Sequence, residues 1–404
     1  MKQGYLSEYF TGVAAKVLSA VEADVATSNQ HEYNGVAPLK NIFGTPKQSF
    51  KAQFIYLNDS DDEPVTDTGF LTWYDAREAH PTRTEYRMYF PTTAVSVCAE
   101  AGDELFIGLR SDNTVLVIIA EGGSTICNQL RWLFGIEESE HFSVRENLDS
   151  EQDRLAFASR LILEQLGIQV EESEDSFLEE MMRRFGDRFP PTKEFSAYAR
   201  ATLPDVHPGD NPDIVLMKWM EREEILFRTF EKYLISERIS KGFENDVDGF
   251  FKFSLSAQNR RKSRAGQALE NHVEQLFVCR HIKYGRTKVT ENNSKPDFIF
   301  PSIETYHDMA FSTELLTMLG VKSTCKDRWR QVLSEADRIK EKHLLTFEAA
   351  ISANQTHEME YNHLQLVVPE AIHNTYSEEQ QKWLMNVSDF IEMLLFRQRA
   401  ITWH

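Results

Sequence analysis

Hydrophobic and polar positions follow one period in the first part of the chain and another in the rest. Over roughly the first 145 residues the apolar positions come in short β-branched or aromatic runs. These are SFKAQFIYL (49–57), TEYRMYF (84–90), DELFIGL (103–109) and NTVLVIIA (113–120), with turn clusters such as NDSDDEP and EAGDE between them. Each run predicts a strand. SRLILEQLGIQ (159–169) reads as a helix, and the acidic break GIQVEESEDS (167–176) follows it. Beyond the break the apolar spacing turns to threes and fours, which predicts helices. The first is FLEEMMRRFGDRF, stopped by Pro-Pro, and the next runs over 213–239 with Gly242 to end it. AGQALENHVEQLFVCR (265–280) is a third, with Leu269, Val273, Leu276 and Phe277 on one face. KPDFIFP, LLTMLGVKS and HLQLVVP read as strands. CKDRWRQVLSEADRIK (325–340) reads as one helix whose buried face holds Trp329, Val332, Leu333, Ala336 and Ile339, and 377–400 as a terminal helix. The pattern implies two domains: a β-rich one over 1–170 and an α/β one over 177–404.

Composition narrows the class. Hydrophobic residues make up 41% of the 404, enough for a sizeable core, and no apolar run is long enough to span a membrane. The start of the chain lacks the pattern of a signal peptide. The four cysteines, Cys98, Cys127, Cys279 and Cys325, form no CxxC pair. A cytoplasmic protein is the expectation.

Net charge is −19, which alone argues against nucleic acid, but its distribution argues otherwise. Residues 1–256 hold 25 Lys+Arg against 44 Asp+Glu, whereas 257–404 hold 19 of each. Within the latter, Gln258–Lys295 carries nine basic and three acidic residues. A solvated helix face is the plain reading of such a stripe. The other is phosphate contact, with Arg260, Arg261, Lys262 and Arg264 positioning a duplex.

Asp297 opens one predicted strand and Lys322 closes another, 25 residues later. Neighbouring strands would put carboxylate and amine side by side at a sheet edge. Oxygen ligands there suit Mg2+, which keeps several waters and takes phosphate oxygens. A metal so held lowers the pKa of a bound water and stabilises charge developing on phosphorus. This is the logic of the PD-(D/E)XK nucleases, whose usual form has an acid two residues before the lysine. Here Gly320 stands in that place. Glu335, on the predicted helix, is the candidate replacement, sharing a face with Arg328, Gln331 and Arg338.

With these residues the chain resembles the EcoRII restriction endonuclease family from about Phe185 onward. The matching segments are NRRKSRAGQALENHVEQLF, KPDFIFPSIETYHD and VKSTCKDRWRQVLSEADRIK. The resemblance implies a restriction-endonuclease-like α/β domain that cuts double-stranded DNA with Mg2+ as a homodimer. It implies a catalytic set of Asp297, Lys322 and Glu335, with Asp297 and Glu335 on the metal and Glu270 as a further acid. It assigns Lys326, Asp327 and Arg328 to reading the CC/GG bases of the target. Asp327 also completes a Thr324–Asp327 capping box, compatible with that role. Trp329 falls on the apolar face and reads as core. His307 reads as a loop hydrogen bond before a catalytic base.

The family also implies a mainly β effector domain in front, a B3-like pseudo-barrel that binds a second DNA copy and restrains the nuclease. The basic-aromatic stretch YDAREAHPTRTEYR offers Arg77, His80, Arg83 and Arg87 as contacts there; a hairpin with a solvated face is the alternative. A cognate DNA methyltransferase is the expected genetic partner. Two other functions stay open: a nuclease directed to modified bases, and a DNA-binding regulator on an inactive nuclease fold.

Overall fold

The structure, a computed structural model, describes residues 4–23, 31–60, 63–80, 82–155, 157–168, 170, 175–291, 294–325 and 328–401. The chain divides into two compact units: residues 1–168 with 350–352, and 169–349 with 353–404.

The first unit is built on one eight-stranded sheet: β1 (Phe10–Val17), β2 (Glu32–Asn34), β3 (Gln48–Leu57), β4 (Val65–Asp75), β5 (Tyr86–Tyr89), β6 (Glu104–Arg110), β7 (Val115–Ala120) and β8 (Ser143–Arg145), in the order β2-β5-β4-β3-β7-β6-β1-β8. Neighbours pair antiparallel except β3 and β7, which run parallel. Strands β3 and β4 alternate buried and exposed positions, whereas β7 is buried throughout, so only part of the sheet offers a solvent face. Phe50, Phe54, Leu71, Trp73, Met88 and Phe90 lie in the core beneath β3–β5. Short helices α1 (Ala20–Ala23), α2 (Leu39–Phe43), α3 (Ala94–Cys98), α4 (Thr125–Phe134) and α5 (Phe157–Gln165) complete the unit. The expected strands are present, and β1 and β4 stand beside them unforeseen.

The second unit begins with helices α6 (Asp175–Phe185), α7 (Thr192–Ala201), α8 (Pro212–Lys241) and α9 (Val247–Cys279). Asn211 starts α8 by accepting from the backbone N–H groups of Asp213 and Ile214, with Pro212 in the first turn, and Gly242 ends it at φ +71°. Asp246 caps α9 through Gly249 N–H, and the helix runs 33 residues, twice the length read from the sequence. A five-stranded sheet follows: β9 (Gly285–Arg286), β10 (Phe298–Phe300), β11 (Thr317–Lys322), β12 (Lys342–Thr346) and β13 (Leu364–Val367), ordered β13-β12-β11-β10-β9. Strands β9, β10 and β11 pair antiparallel, and β11, β12 and β13 run parallel. Parallel strands need crossovers, and helices α11 (Arg328–Leu333) and α12 (Ala353–Tyr361) supply them; α10 (Ile303–His307) follows β10. Helices α13 (Glu378–Trp383) and α14 (Val387–Arg399) close the chain. Phe277 of α9 packs edge-on against Phe298 and Phe300, and Phe390 of α14 packs against Phe300 and His343.

Two predicted helices are corrected. The one at 325–340 stops at Leu333: Ala336 takes φ +51°, a left-handed turn that no continuous helix tolerates. Trp329, Val332, Ala336 and Ile339 are nonetheless buried, because the turn keeps them facing inward. The terminal helix breaks in two where Met385 bridges to Val367.

Candidate active site

The register of the second sheet decides what meets what. Phe298 pairs with Leu319, so Asp297, one residue before β10, comes opposite the end of β11. Its Oδ2 accepts from Lys322 Nζ at 2.9 Å and from the Val321 backbone N–H at 2.7 Å. The lysine and aspartate sit partly open, 23% and 14% exposed by side chain. The strand pair thus joins two residues that are 25 apart in sequence.

Gly320 sits between them and faces α11. A Cβ added there would lie 3.0 Å from Val332 Cγ2. The missing side chain lets Val332 press against the strand, and Glu335 follows three residues later in the turn beyond the helix. Glu335 is therefore not on a helical face with Arg328, Gln331 and Arg338, as the sequence reading had it. Arg338 turns inward and donates to the carbonyls of Tyr306, Asp308 and Phe311.

Glu335 Oε2 is buried and has no hydrogen-bond partner among the described residues. Burial and then the negative charge of Asp297 push its carboxyl up to about 7, against the pull of Lys322 and Lys342. Glu270 on α9 is shifted upward by burial and Asp297 in turn, opposed by Arg286. Arg286 of β9 reaches Glu270 at 3.0 Å, Asn271 Oδ1 at 3.0 Å and Glu274 at 2.7 Å. Lys342 is 8% exposed, and burial depresses its pKa against Asp337, Glu335 and Glu291. Asp297, Lys322, Glu335 and Glu270 thus act on one another electrostatically. Among the described residues no three His, Cys, Asp or Glu side chains form a ready metal group. The donor chemistry still fits a hard cation: two neighbouring carboxylates, with the Asp297 charge raising the proton affinity of Glu335, which has an orphaned oxygen.

Sequence reasoning missed Arg286 and Lys342. Lys342 carried a faint signal, a lysine at the head of the apolar run HLL. Arg286 carried none, since a two-residue strand has no pattern.

The other candidates fare unevenly. Arg328 opens α11 with an exposed side chain; Lys326 and Asp327 lie outside the described residues. Trp329 is fully buried as core. His307 Nε2 sits 3.3 Å from the Val289 carbonyl, a loop contact. In the basic stripe Arg264 is a correction: it is 7% exposed, paired with Glu224 and seated over the Phe227 ring, so it cannot meet phosphate. Arg261 is engaged with Glu231 at 2.7 Å and Arg260 lies over Phe189; the Lys262 side chain lies outside the described residues. In the first unit Arg77 pairs with Glu85, and Arg87 pairs with Glu32 and Glu85. The His80 ring accepts from the N–H groups of Thr82 and Arg83, and Arg83 is exposed.

An α/β unit with an Asp–Lys pair across two strands and an acid delivered from the next turn is restriction-endonuclease-like. Residues 227–391 match the family model for the EcoRII C terminal domain. Over 208 residues the chain is 42% identical to the type II restriction enzyme EcoRII of Escherichia coli, covering 51% of each. The second unit is accordingly similar to the C-terminal domain of EcoRII. The chain spans about half the length of that relative. Among solved structures, metal-depleted Ecl18kI with uncleaved, modified DNA is 16% identical at a TM-score of 0.46, covering 56% of this chain and 86% of that one. Metal-depleted Ecl18kI with uncleaved DNA is 17% identical at 0.44, covering 57% and 87%.

Proposed function

We propose that this chain is a sequence-specific endonuclease that hydrolyses phosphodiesters in double-stranded DNA, as part of a restriction system. The observation that carries the reading is the contact of Lys322 Nζ with Asp297 Oδ2 together with the buried Glu335 Oε2, which has no hydrogen-bond partner among the described residues. Asp297 and Glu335 would hold Mg2+, with waters and phosphate oxygens as its remaining ligands. When bound, the metal supplies Lewis acidity and a water of lowered pKa. The chain's own residues do the rest. Lys322 orients the attacking water and balances the two carboxylates. Val321 N–H fixes Oδ2 of Asp297. Arg286 holds Glu270 against the strand that leads to Asp297.

In this reading Lys326, Asp327 and Arg328 read CC/GG bases at the start of α11. The first unit serves as an effector domain for a second DNA copy, with Arg83 its best remaining contact. The enzyme acts as a homodimer in the cytoplasm beside a cognate DNA methyltransferase. No helix among the described residues is long and apolar enough to cross a membrane. The test is cleavage of plasmids carrying CC/GG-containing sites in Mg2+, in Ca2+ and without metal. Site-specific double-strand cutting in Mg2+ alone is expected. Random nicking, or equal cutting in EDTA, would overturn the proposal.

A further inference from the structure

Glu335 stands in a turn and on neither a helix nor a strand: α11 ends at Leu333, and Ala336 reverses the chain at φ +51°. An acid that ligates a cation has to be held, and a turn holds its residues less well than a ladder of hydrogen bonds does. Burial of Ala336 and Ile339 is one hold on this turn. Arg338 is another. Its guanidinium donates to the Tyr306 carbonyl, to that of Asp308 at 3.1 Å and to that of Phe311 at 3.1 Å. Its backbone N–H donates to the Tyr306 hydroxyl at 3.4 Å, and that hydroxyl donates in turn to Glu291.

What those carbonyls belong to gives the arginine its meaning. They lie at the end of α10 and in the turn after it, and α10 follows β10, the strand that begins next to Asp297. Tyr306 is fully buried, so the acceptors are firmly seated. Arg338 therefore ties the turn that carries Glu335 to the segment that continues from Asp297. The two acids are close enough for the Asp297 charge to act on Glu335. Capping the last carbonyls of a helix would be task enough for a basic side chain elsewhere. Three residues from Glu335, the same bonds set where the acid stands. Lysine could not replace it, because an ammonium is a point whereas the guanidinium fork spans several carbonyls. Mg2+ asks for near-ideal octahedral geometry, so two carboxylates that share it need a fixed separation.

We propose that Arg338 is a positioning residue, which fixes the separation of Glu335 from Asp297 so that the two can share one divalent cation. The cation's part in this rests on the nuclease reading; the hold on the turn does not. Two measurements on the full chain keep them apart. Without metal or DNA, hydrogen exchange over residues 334–339 should run at least ~10-fold faster in Arg338→Ala, with β11 and β12 unchanged. With Mn2+ as the probe, read from the paramagnetic resonance of the free ion, the same variant should bind about 10-fold more weakly than wild type. Millimolar guanidinium ion, which refills the space left by alanine, should restore both properties, and Arg338→Lys should behave like Arg338→Ala. A wild-type chain that binds no Mn2+ would overturn the cation's part together with the nuclease reading. An Arg338→Ala chain that binds Mn2+ as tightly as wild type, or exchanges no faster over 334–339, would overturn this proposal alone. So would losses that guanidinium leaves unrepaired, since they would mark damage to the fold at large.

Discussion

Acids and bases meet at two places in the second unit, and they meet differently. Along the α8–α9 seam Glu224 and Glu231 find guanidinium groups, and Glu223 lies 2.9 Å from His272. Glu224 takes Arg228 and Arg264, and Glu231 takes Arg261 at 2.7 Å. At the end of the sheet the balance is left open. Asp297 takes Lys322, but Glu335 meets no cation at ion-pair distance among the described residues, and Lys342 is buried nearby without a side-chain bond. The Arg–Glu pairs of the seam hold α8 and α9 together. The sheet end carries unspent charge, which has a use only when another charged group arrives. The contrast separates structural from chemical ion pairs by whether the carboxylate has its cation, since a buried glutamate stands in both places.

The largest expected effect tests the open site. Asp297→Ala, Lys322→Ala and Glu335→Ala should each lower cleavage at least ~10⁴-fold, about 5 kcal/mol of barrier. Specific duplex binding in Ca2+ should persist. A gel assay that finds near wild-type cutting by Glu335→Ala would remove the relocated acid from the site.

Next comes the closed seam. Arg264→Ala should cost roughly 1.5–3 kcal/mol of stability, the usual worth of a hydrogen bond to a charged group, because Glu224 keeps Arg228 as a partner. Chemical denaturation reads this, and cleavage per folded molecule should hardly change. A variant as stable as wild type but weak on DNA would return Arg264 to the phosphate stripe.

A pH experiment sets the two places against each other. The Glu335 carboxyl is raised in the fold to about 7, so between its ordinary value of 4.5 and 7 the folded state holds the extra proton. Stability then falls as pH rises through that window, and the full cost is present above 7. Glu335→Gln should therefore stabilise the metal-free protein at pH 8 by up to about 3 kcal/mol, less what solvent screening removes, and by little at pH 5. The same variant should not cut. Equal melting temperatures at both pH values would show that the carboxylate is better solvated than its burial implies.

Smaller effects follow. Arg328→Ala should lose roughly 1–3 kcal/mol of discrimination at one base pair, the usual worth of a bidentate contact. Competition with single-base variants of the site would show it, and an equal loss on random DNA would refute it. Arg77→Ala should change effector-DNA affinity within about 0.5 kcal/mol, because Glu85 already occupies the guanidinium.

The sequence carried much of this site and less of its surroundings. Asp297, Lys322 and Glu335 were legible because a short strand begins just after the first and another ends at the second, which fixes their places. The path to Glu335 was not: Ala336 reverses the chain at a positive φ without a glycine to signal it. Strand β12 escaped notice because KHLLT is short, wholly buried and shows no alternation. Strand β4 escaped because Thr and Asp dilute its apolar positions, although it alternates when laid out against β3. The phosphate role given to Arg264 failed for a general reason: a helix's basic face can look toward a second helix as well as toward solvent, and only α8 shows which.

Gly320 has one more consequence, in the currency of evolution and engineering. Restoring the common nuclease pattern by Gly320→Glu looks like a single-codon-scale change, yet any side chain there presses on Val332. The acid could enter only after Val332 had shrunk, and a smaller residue at 332 would loosen the turn that presents Glu335. Each intermediate would be worse than either endpoint. The two arrangements of the third acid are separated by a valley that stepwise substitution crosses only through impaired enzymes.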